Sequence, residues 1–310
     1  MQTHSPTDHI NAQWAFERYE LIRHTLPNAN FPKTSRWVGG LMALAPHFDI
    51  FLLDAFGVLN VGQTAIKSAP KAVAALQAAG KRVMVLTNGA SHTAAEAQIK
   101  FQTLGFNFSL DNIVASRDAL CEALTESFPE SQDLPMWGMM ALPGAQLVKV
   151  PINIKVLGHR IDLFNQVSGF ILLSAASWSP QQQRLLIQSL RQNPRPVWVG
   201  NPDLVAPREE DLSLEPGYFA HQLSQIPGVS LRFFGKPFAN IYQLAFARLK
   251  TISKQRVLMV GDTLHTDILG GAAYGLQTAL VTGHGVFAQQ DVRPYVRQSG
   301  IIPDYIMRSP

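Results

Sequence analysis

The sequence is short of several things, and each shortage removes a class of protein. There is one cysteine, Cys121, among 310 residues. An intrachain disulfide is therefore impossible, and no cysteine-based metal cluster can form. Cys121 reads as a helix core residue rather than a nucleophile, and its isolation fits a reducing compartment. Charged residues make up only 15% of the chain. The net charge of +4 is not gathered into any long run of Lys or Arg, so a nucleic-acid partner is not expected. No apolar stretch approaches the roughly 20 residues that a membrane-spanning helix needs. The opening segment, MQTHSPTDHINAQWAFERYE, has no apolar run behind a basic one, so no targeting peptide is expected either. The expectation is a cytoplasmic protein that engages neither membrane nor nucleic acid. Internal repeats and low-complexity tracts are also absent.

What is present is globular. Hydrophobic residues make up 46%, and the length suits about two domains. Residues 1–37 read as an N-terminal helical appendage. Asp8 would cap a helix running to about Leu26, with Ile10, Trp14 and Ile22 on one stripe, until Pro27 and Pro32 break it. That helix is expected to pack on the outside of the core.

The next segment, Phe48 to Asp54, is a nearly continuous apolar run ending in a carboxylate. Such a run suits a strand buried on both faces of a parallel sheet. A helical pattern follows at Ala69–Ala79, stopped by Gly80. Arg82–Leu86 reads as a second strand that ends at Thr87-Asn88-Gly89, and another helix spans roughly His92–Leu104. The same grammar returns near the C-terminus. Val257–Val260 is a strand ending at Gly261-Asp262, a short helix covers about Thr266–Tyr274, and Thr278–Val281 is a further strand. This alternation predicts an α/β fold with a parallel, Rossmann-like sheet. Residues 38–114 and 232–310 would form that core. Residues 115–231 would be an inserted α/β cap, with strands at Ile154–Leu157, Phe170–Leu173 and Pro196–Val199. Its helices would lie at about Ser116–Phe128, Pro180–Asn193 and Gly217–Gln225, with Ser116 and Ser179 as N-caps.

The informative polar residues sit at strand ends. Ligands of open α/β sheets bind outside the carboxyl ends of the strands, so Asp54, Thr87, Asn88 and Asp262 should meet in one crevice. Lys236, in Phe-Phe-Gly-Lys-Pro, can join them from a loop. Two carboxylates in one site are costly unless a cation lies between them, and an all-oxygen set suits Mg²⁺. Thr87 and Asn88 supply donors and Lys236 a fixed positive charge. The set suits a tetrahedral oxyanion attacked by a carboxylate.

DAFGVL at 54–59, LTNG at 86–89, GKP at 235–237 and GDTLHTD at 261–267 occur in the order of the four motifs of the haloacid-dehalogenase superfamily. The chain resembles that superfamily over about residues 45–290. The insertion between the second and third motifs resembles the class IIA cap, with Asn201-Pro202-Asp203 similar to that cap's signature. The resemblance implies a Mg²⁺-dependent phosphatase acting on a phosphorylated small molecule through an aspartyl-phosphate. Asp54 would be nucleophile and metal ligand, the backbone carbonyl of Phe56 a second ligand, Asp262 a third, and Asp267 a support of the metal shell. Thr87 and Asn88 would hold the phosphoryl oxygens, and Lys236 would pair with nucleophile and phosphate. Asn201 and Asp203 would face the substrate from the cap.

One position departs from the pattern. Phosphatases of the family carry a second aspartate two residues after the nucleophile, which serves as general acid and base; here that residue is Phe56. Two other functions therefore stand beside the phosphatase: a catalytically weak phosphate-binding protein, and an enzyme cleaving a carbon–halogen or carbon–phosphorus bond. Simpler roles are also open. Asp267 could favour a helix dipole, Asn201 and Asp203 could form an Asx turn, and His265 reads as a surface residue. Trp137, Trp178 and Trp198 read as cap core.

Overall fold

The computed structural model describes residues 10–128, 133–147, 149–250 and 253–310. Its centre is a seven-stranded sheet with every pair parallel. The order across it is Arg36–Trp37, Tyr305–Met307, Gln277–Val281, Val257–Gly261, Ile50–Leu53, Arg82–Thr87 and Ile113–Ala115. The apolar runs become its middle because both faces are covered. Ile50, Leu52, Met84, Leu86, Val257 and Met259 fall in one apolar cluster. Their chain neighbours Phe51, Leu53, Val83, Val85, Leu258 and Val260 fall in another. This is the two-residue side-chain period of a strand, with both faces buried.

A second sheet of five parallel strands comes from the middle of the chain, in the order Leu231–Phe233, Val197–Val199, Gly169–Leu172, Met136–Met140 and Asn153–Val156. One face packs on Pro180–Gln192 through Leu186 and Leu190. The other continues the apolar cluster of the central sheet through Trp137, Met139, Ile171, Leu173 and Trp198. Ser179 caps Pro180–Gln192 with a reciprocal box to Gln182, as its position predicts.

Several local expectations need correction. Ser116 is the first helical residue of Ser116–Ser127, not its cap; Ala115 takes that place, and the Ser116 hydroxyl donates to the Asn88 carbonyl at 3.0 Å. Met136–Met140, the helix Ile161–Gln166 and the hairpin of Val205–Pro207 with Leu212–Leu214 are additional elements. Asp8 lies outside the described residues; the N-terminal helix is Ala12–Leu21, capped by Asn11. As expected, it packs on the outside of the core by one face, leaving Gln13, Glu17 and Leu21 exposed. Ala15, Phe16 and Tyr19 are buried beside residues of both sheets' loops. None of the described helices is long and apolar enough to cross a membrane.

Candidate active site

The site begins with the pairing of Ile50–Leu53 and Val257–Gly261. The residue after each strand is an aspartate, so Asp54 and Asp262 emerge side by side. Gly57 makes this possible. Its φ is +76°, and a Cβ there would stand 2.5 Å from the Asp262 Cγ. Gly57→Ala is accordingly expected to lower the melting temperature by several degrees, corresponding to about 1–3 kcal/mol of backbone strain and collision. Differential scanning calorimetry reads this directly.

Lys236 is the hub. Its Nζ lies 2.6 Å from Asp54 Oδ1 and 2.7 Å from Asp267 Oδ1, and the side chain is 1% exposed. Burial alone would lower its pKa, but Asp267, Asp54 and Asp203 outweigh burial and hold it above the ordinary lysine value. Lys236 is a permanent cation here. The Asp54 carboxyl is pushed up to about 7, chiefly by burial and partly by Asp267, against the pull of Lys236. Asp262 is raised as well, by burial and then by Asp267 and Asp54. Its Oδ2 accepts the Val286 N–H at 2.7 Å and its Oδ1 the Thr263 hydroxyl at 3.1 Å.

Asp267 is fully enclosed. One oxygen accepts the Asp262 and Thr263 N–H groups at 3.1 and 3.0 Å, and the other meets Lys236. It braces the loop that carries Asp262. Oxygens of Asp54, Asp262 and Asp267 all lie within 4.8 Å of one another. Three carboxylates converge here, two of them on the Lys236 ammonium, and the donors are all hard oxygens. The Phe56 carbonyl accepts no hydrogen bond among the described residues. This donor set fits a divalent cation such as Mg²⁺.

The sequence-predicted residues divide at this point. Thr87 closes its strand beside the cluster, and its hydroxyl oxygen accepts the Gly89 N–H at 3.0 Å. Asn88 is occupied differently from the expected hold on phosphoryl oxygens. Its amide donates to Asp203 Oδ1 at 2.8 Å and to the Lys236 carbonyl at 2.9 Å, while its oxygen accepts the Lys236 N–H at 2.7 Å. The side chain therefore pins the Lys236 loop to the cap. Asp203 reaches the site through that bond. Asn201 does not reach it: its oxygen accepts the Asp203 N–H in an Asx turn and its amide meets Glu215.

Phe56 turns its ring towards Gly89. The Lys100 Nζ stands 4.9 Å and the Arg208 guanidinium carbon 5.0 Å from its ring centroid. Burial lowers the pKa of Lys100, and Arg208 adds to that. Arg208 arrives on the cap hairpin, tied to Glu215 at 2.8 Å. Sequence reasoning did not single out Lys100, Arg208 or Val286, and it read His265 as a surface residue. His265 is in fact 1% exposed. Only its place inside GDTLHTD could have marked it.

The geometry and the motifs have a counterpart among known proteins. A family model described as haloacid dehalogenase-like hydrolase matches residues 51–140, and one described as HAD-hydrolase-like matches residues 233–308. The chain belongs to the haloacid-dehalogenase superfamily of hydrolases. It is 28% identical to a glycerol-3-phosphate phosphatase of Gallus gallus over 309 aligned positions, covering 86% of this chain and 91% of the relative. A solved structure of a possible sugar phosphatase from Cytophaga hutchinsonii superposes with a TM-score of 0.76 at 26% identity, over 89% of this chain and 98% of that one. The fold is also that of a Mycobacterium tuberculosis glycerol phosphate phosphatase solved in complex with magnesium. That match has a TM-score of 0.66 at 21% identity, over 85% of this chain and 75% of that one.

Proposed function

We propose that the protein is a Mg²⁺-dependent phosphohydrolase that opens small phosphate esters through an aspartyl-phosphate on Asp54. The observation that carries this is the convergence of Asp54, Asp262 and Asp267 around a Lys236 that touches two of them. Relatives named for glycerol-3-phosphate and sugar phosphates favour a small polyol or sugar phosphate as substrate.

The residues divide the work as follows. Asp54 Oδ1 is held by Lys236 and the Ala55 N–H, so the second oxygen is the one that attacks phosphorus. The Asp54 oxygen–phosphorus bond forms as the ester bond breaks, and the departing alkoxide takes a proton from water. Water then attacks the acyl phosphate and returns Asp54. Lys236 balances charge on the phosphoryl oxygens throughout, and the Thr87 hydroxyl donates to one of them. Asn88 and Asp203 keep the Lys236 loop in place. Asp54, Asp262 and the Phe56 carbonyl would hold Mg²⁺, with Asp267 behind them; when bound, the ion offsets the charge that phosphate brings to an acidic site.

The raised carboxyls give a pH signature. The folded pKa of Asp54, about 7, lies above the ordinary aspartate value of 3.8. Its contribution to stability is therefore present at low pH and is lost as pH rises through about 7. Mg²⁺ binds the ionised form. Its stabilisation should be small near pH 5 and large near pH 8, reaching about 3 kcal/mol when Mg²⁺ is about 100 times its Kd. Thermal shift with Mg²⁺ and with EDTA tests the metal, and p-nitrophenyl phosphate alongside glycerol phosphate and a haloacid tests the reaction. Hydrolysis of the haloacid, or of phosphate esters in EDTA, would overturn the reading.

Phe56 favours a second reading, a phosphate-binding protein with little turnover. It predicts phosphate and Mg²⁺ binding without hydrolysis of any ester.

A further inference from the structure

The N-terminal helix, Ala12–Leu21, occupies the joint between the two sheets' loops. Its Phe16 and Tyr19 share an apolar cluster with Leu204 and Val205 of the insertion and with Leu264, Ile268 and Leu269 of the loop and helix after Asp262. Tyr19 is 3% exposed, and its phenol oxygen accepts the Leu204 N–H at 3.0 Å. The ring lies flat on His265, with centroids 5.0 Å apart and planes within 6°. The His265 Nε2 is 2.5 Å from Glu20 Oε1, and Phe16 meets the same imidazole edge-on. Trp14, one turn earlier, contacts Tyr218 of the insertion at 5.6 Å.

Two chain segments are thus gripped by one turn of helix. Leu204 follows Asp203, whose carboxylate takes the Asn88 amide beside Lys236. His265 lies between Asp262 and Asp267. Holding both ends of the site from one helix fixes the gap between them, and Asp54 is already only 13% exposed at the bottom of that gap.

We propose that this helix is a clasp between cap and core, and that Tyr19 is a positioning residue that sets where the Asn201–Leu204 loop stands over Asp54. The kinetic consequence rests on the phosphohydrolase reading, whereas the mechanical one does not. Tyr19→Phe keeps the ring and its stacking on His265 but leaves the Leu204 N–H buried without an acceptor, a loss of the kind that shifts equilibria by about tenfold or more. The loop should open more often, so a substrate meets a less complete site. The catalytic groups themselves are untouched.

Native-state hydrogen exchange by mass spectrometry on the full chain, with and without Mg²⁺, reads the mechanical part. In Tyr19→Phe, amides of residues 201–206 should exchange about tenfold faster, while those of Gly169–Leu172 and Val197–Val199 keep wild-type rates. Trp14→Ala should accelerate the same segment, less strongly, because it loosens the helix without touching the Tyr19 bond. In steady-state assays, KM for p-nitrophenyl phosphate should rise about tenfold in Tyr19→Phe with kcat within about twofold of wild type. Unchanged exchange at 201–206 would overturn the clasp. Acceleration spread equally over both sheets would make Tyr19 an ordinary core residue and overturn it too. Faster local exchange with KM unchanged would overturn the positioning role. Faster local exchange in a protein that hydrolyses no ester would sustain the clasp and sink the phosphohydrolase reading.

Discussion

Asp54→Asn is expected to lose phosphate-ester hydrolysis by about 10⁴-fold or more in kcat while remaining folded. Asparagine preserves the shape and can still accept the Ala55 N–H that Asp54 Oδ1 takes at 2.7 Å. It offers no charged oxygen to phosphorus. Folding should not suffer, because burial already makes the Asp54 carboxylate costly near neutrality, where its pKa is about 7. A neutral amide removes that cost, although Lys236 then keeps only one carboxylate in direct contact, Asp267 at 2.7 Å. The melting temperature near pH 8 in EDTA should therefore stay level or rise, and the Mg²⁺-induced shift should shrink. Parallel assays of p-nitrophenyl phosphate turnover and thermal shift decide the matter. A variant that keeps a tenth of wild-type turnover would exclude Asp54 as the nucleophile.

Phe56→Asp should have the opposite sign. In the wild-type protein nothing at this position can protonate a leaving group or activate water, and positioned acid–base catalysis is worth roughly 10²–10⁴-fold. Wild-type turnover should therefore be low on alkyl phosphates and comparatively high on p-nitrophenyl or acetyl phosphate, whose leaving groups depart without a proton. The phosphorylated protein should accumulate if its hydrolysis is the slower step. A carboxylate at position 56 would stand where Lys100 and Arg208 now flank the ring at 4.9 and 5.0 Å. Two cations favour the ionised form, so the new group should serve better as base than as acid. The gain should then appear mainly in dephosphorylation, as a faster steady state and a smaller burst. An increase of about 10²-fold in steady-state turnover of p-nitrophenyl phosphate is the expected scale, with a smaller gain on glycerol phosphate. Rapid wild-type hydrolysis of glycerol phosphate would mean that another residue supplies the proton.

What could be read without coordinates was whatever is written locally. Ile50–Leu53, Arg82–Thr87 and Val257–Gly261 are apolar runs buried on both faces, and each hands a polar residue to the same end of the sheet. The sheet and the group of Asp54, Thr87, Lys236 and Asp262 follow from that rule together with the motif order. Met136–Met140 escaped because it carries no alternation and is Met-rich, and Arg36–Trp37 because it is two residues long at an edge. Contacts made across the chain left no trace in any pattern. Tyr19 and its partner Leu204 are 185 positions apart. Asn88 was recognised as part of the site, but its actual partners, Asp203 and the Lys236 backbone, depend on how a distant loop is seated.

The strand order has a consequence for how the molecule is made. Asp54 and Asp262 come from adjacent strands, yet Val257 pairs with Ile50 across more than half the chain. During synthesis the insertion has its own consecutive strands to pair, Met136–Met140 through Leu231–Phe233, before the central sheet can close. Until residues 257–261 leave the ribosome, Ile50–Leu53 has a partner on one side only, Arg82–Thr87. A wholly apolar edge of that kind invites pairing with other chains. Nonsense or frameshift truncations between about residues 235 and 256 should therefore yield insoluble protein rather than an isolated, soluble half.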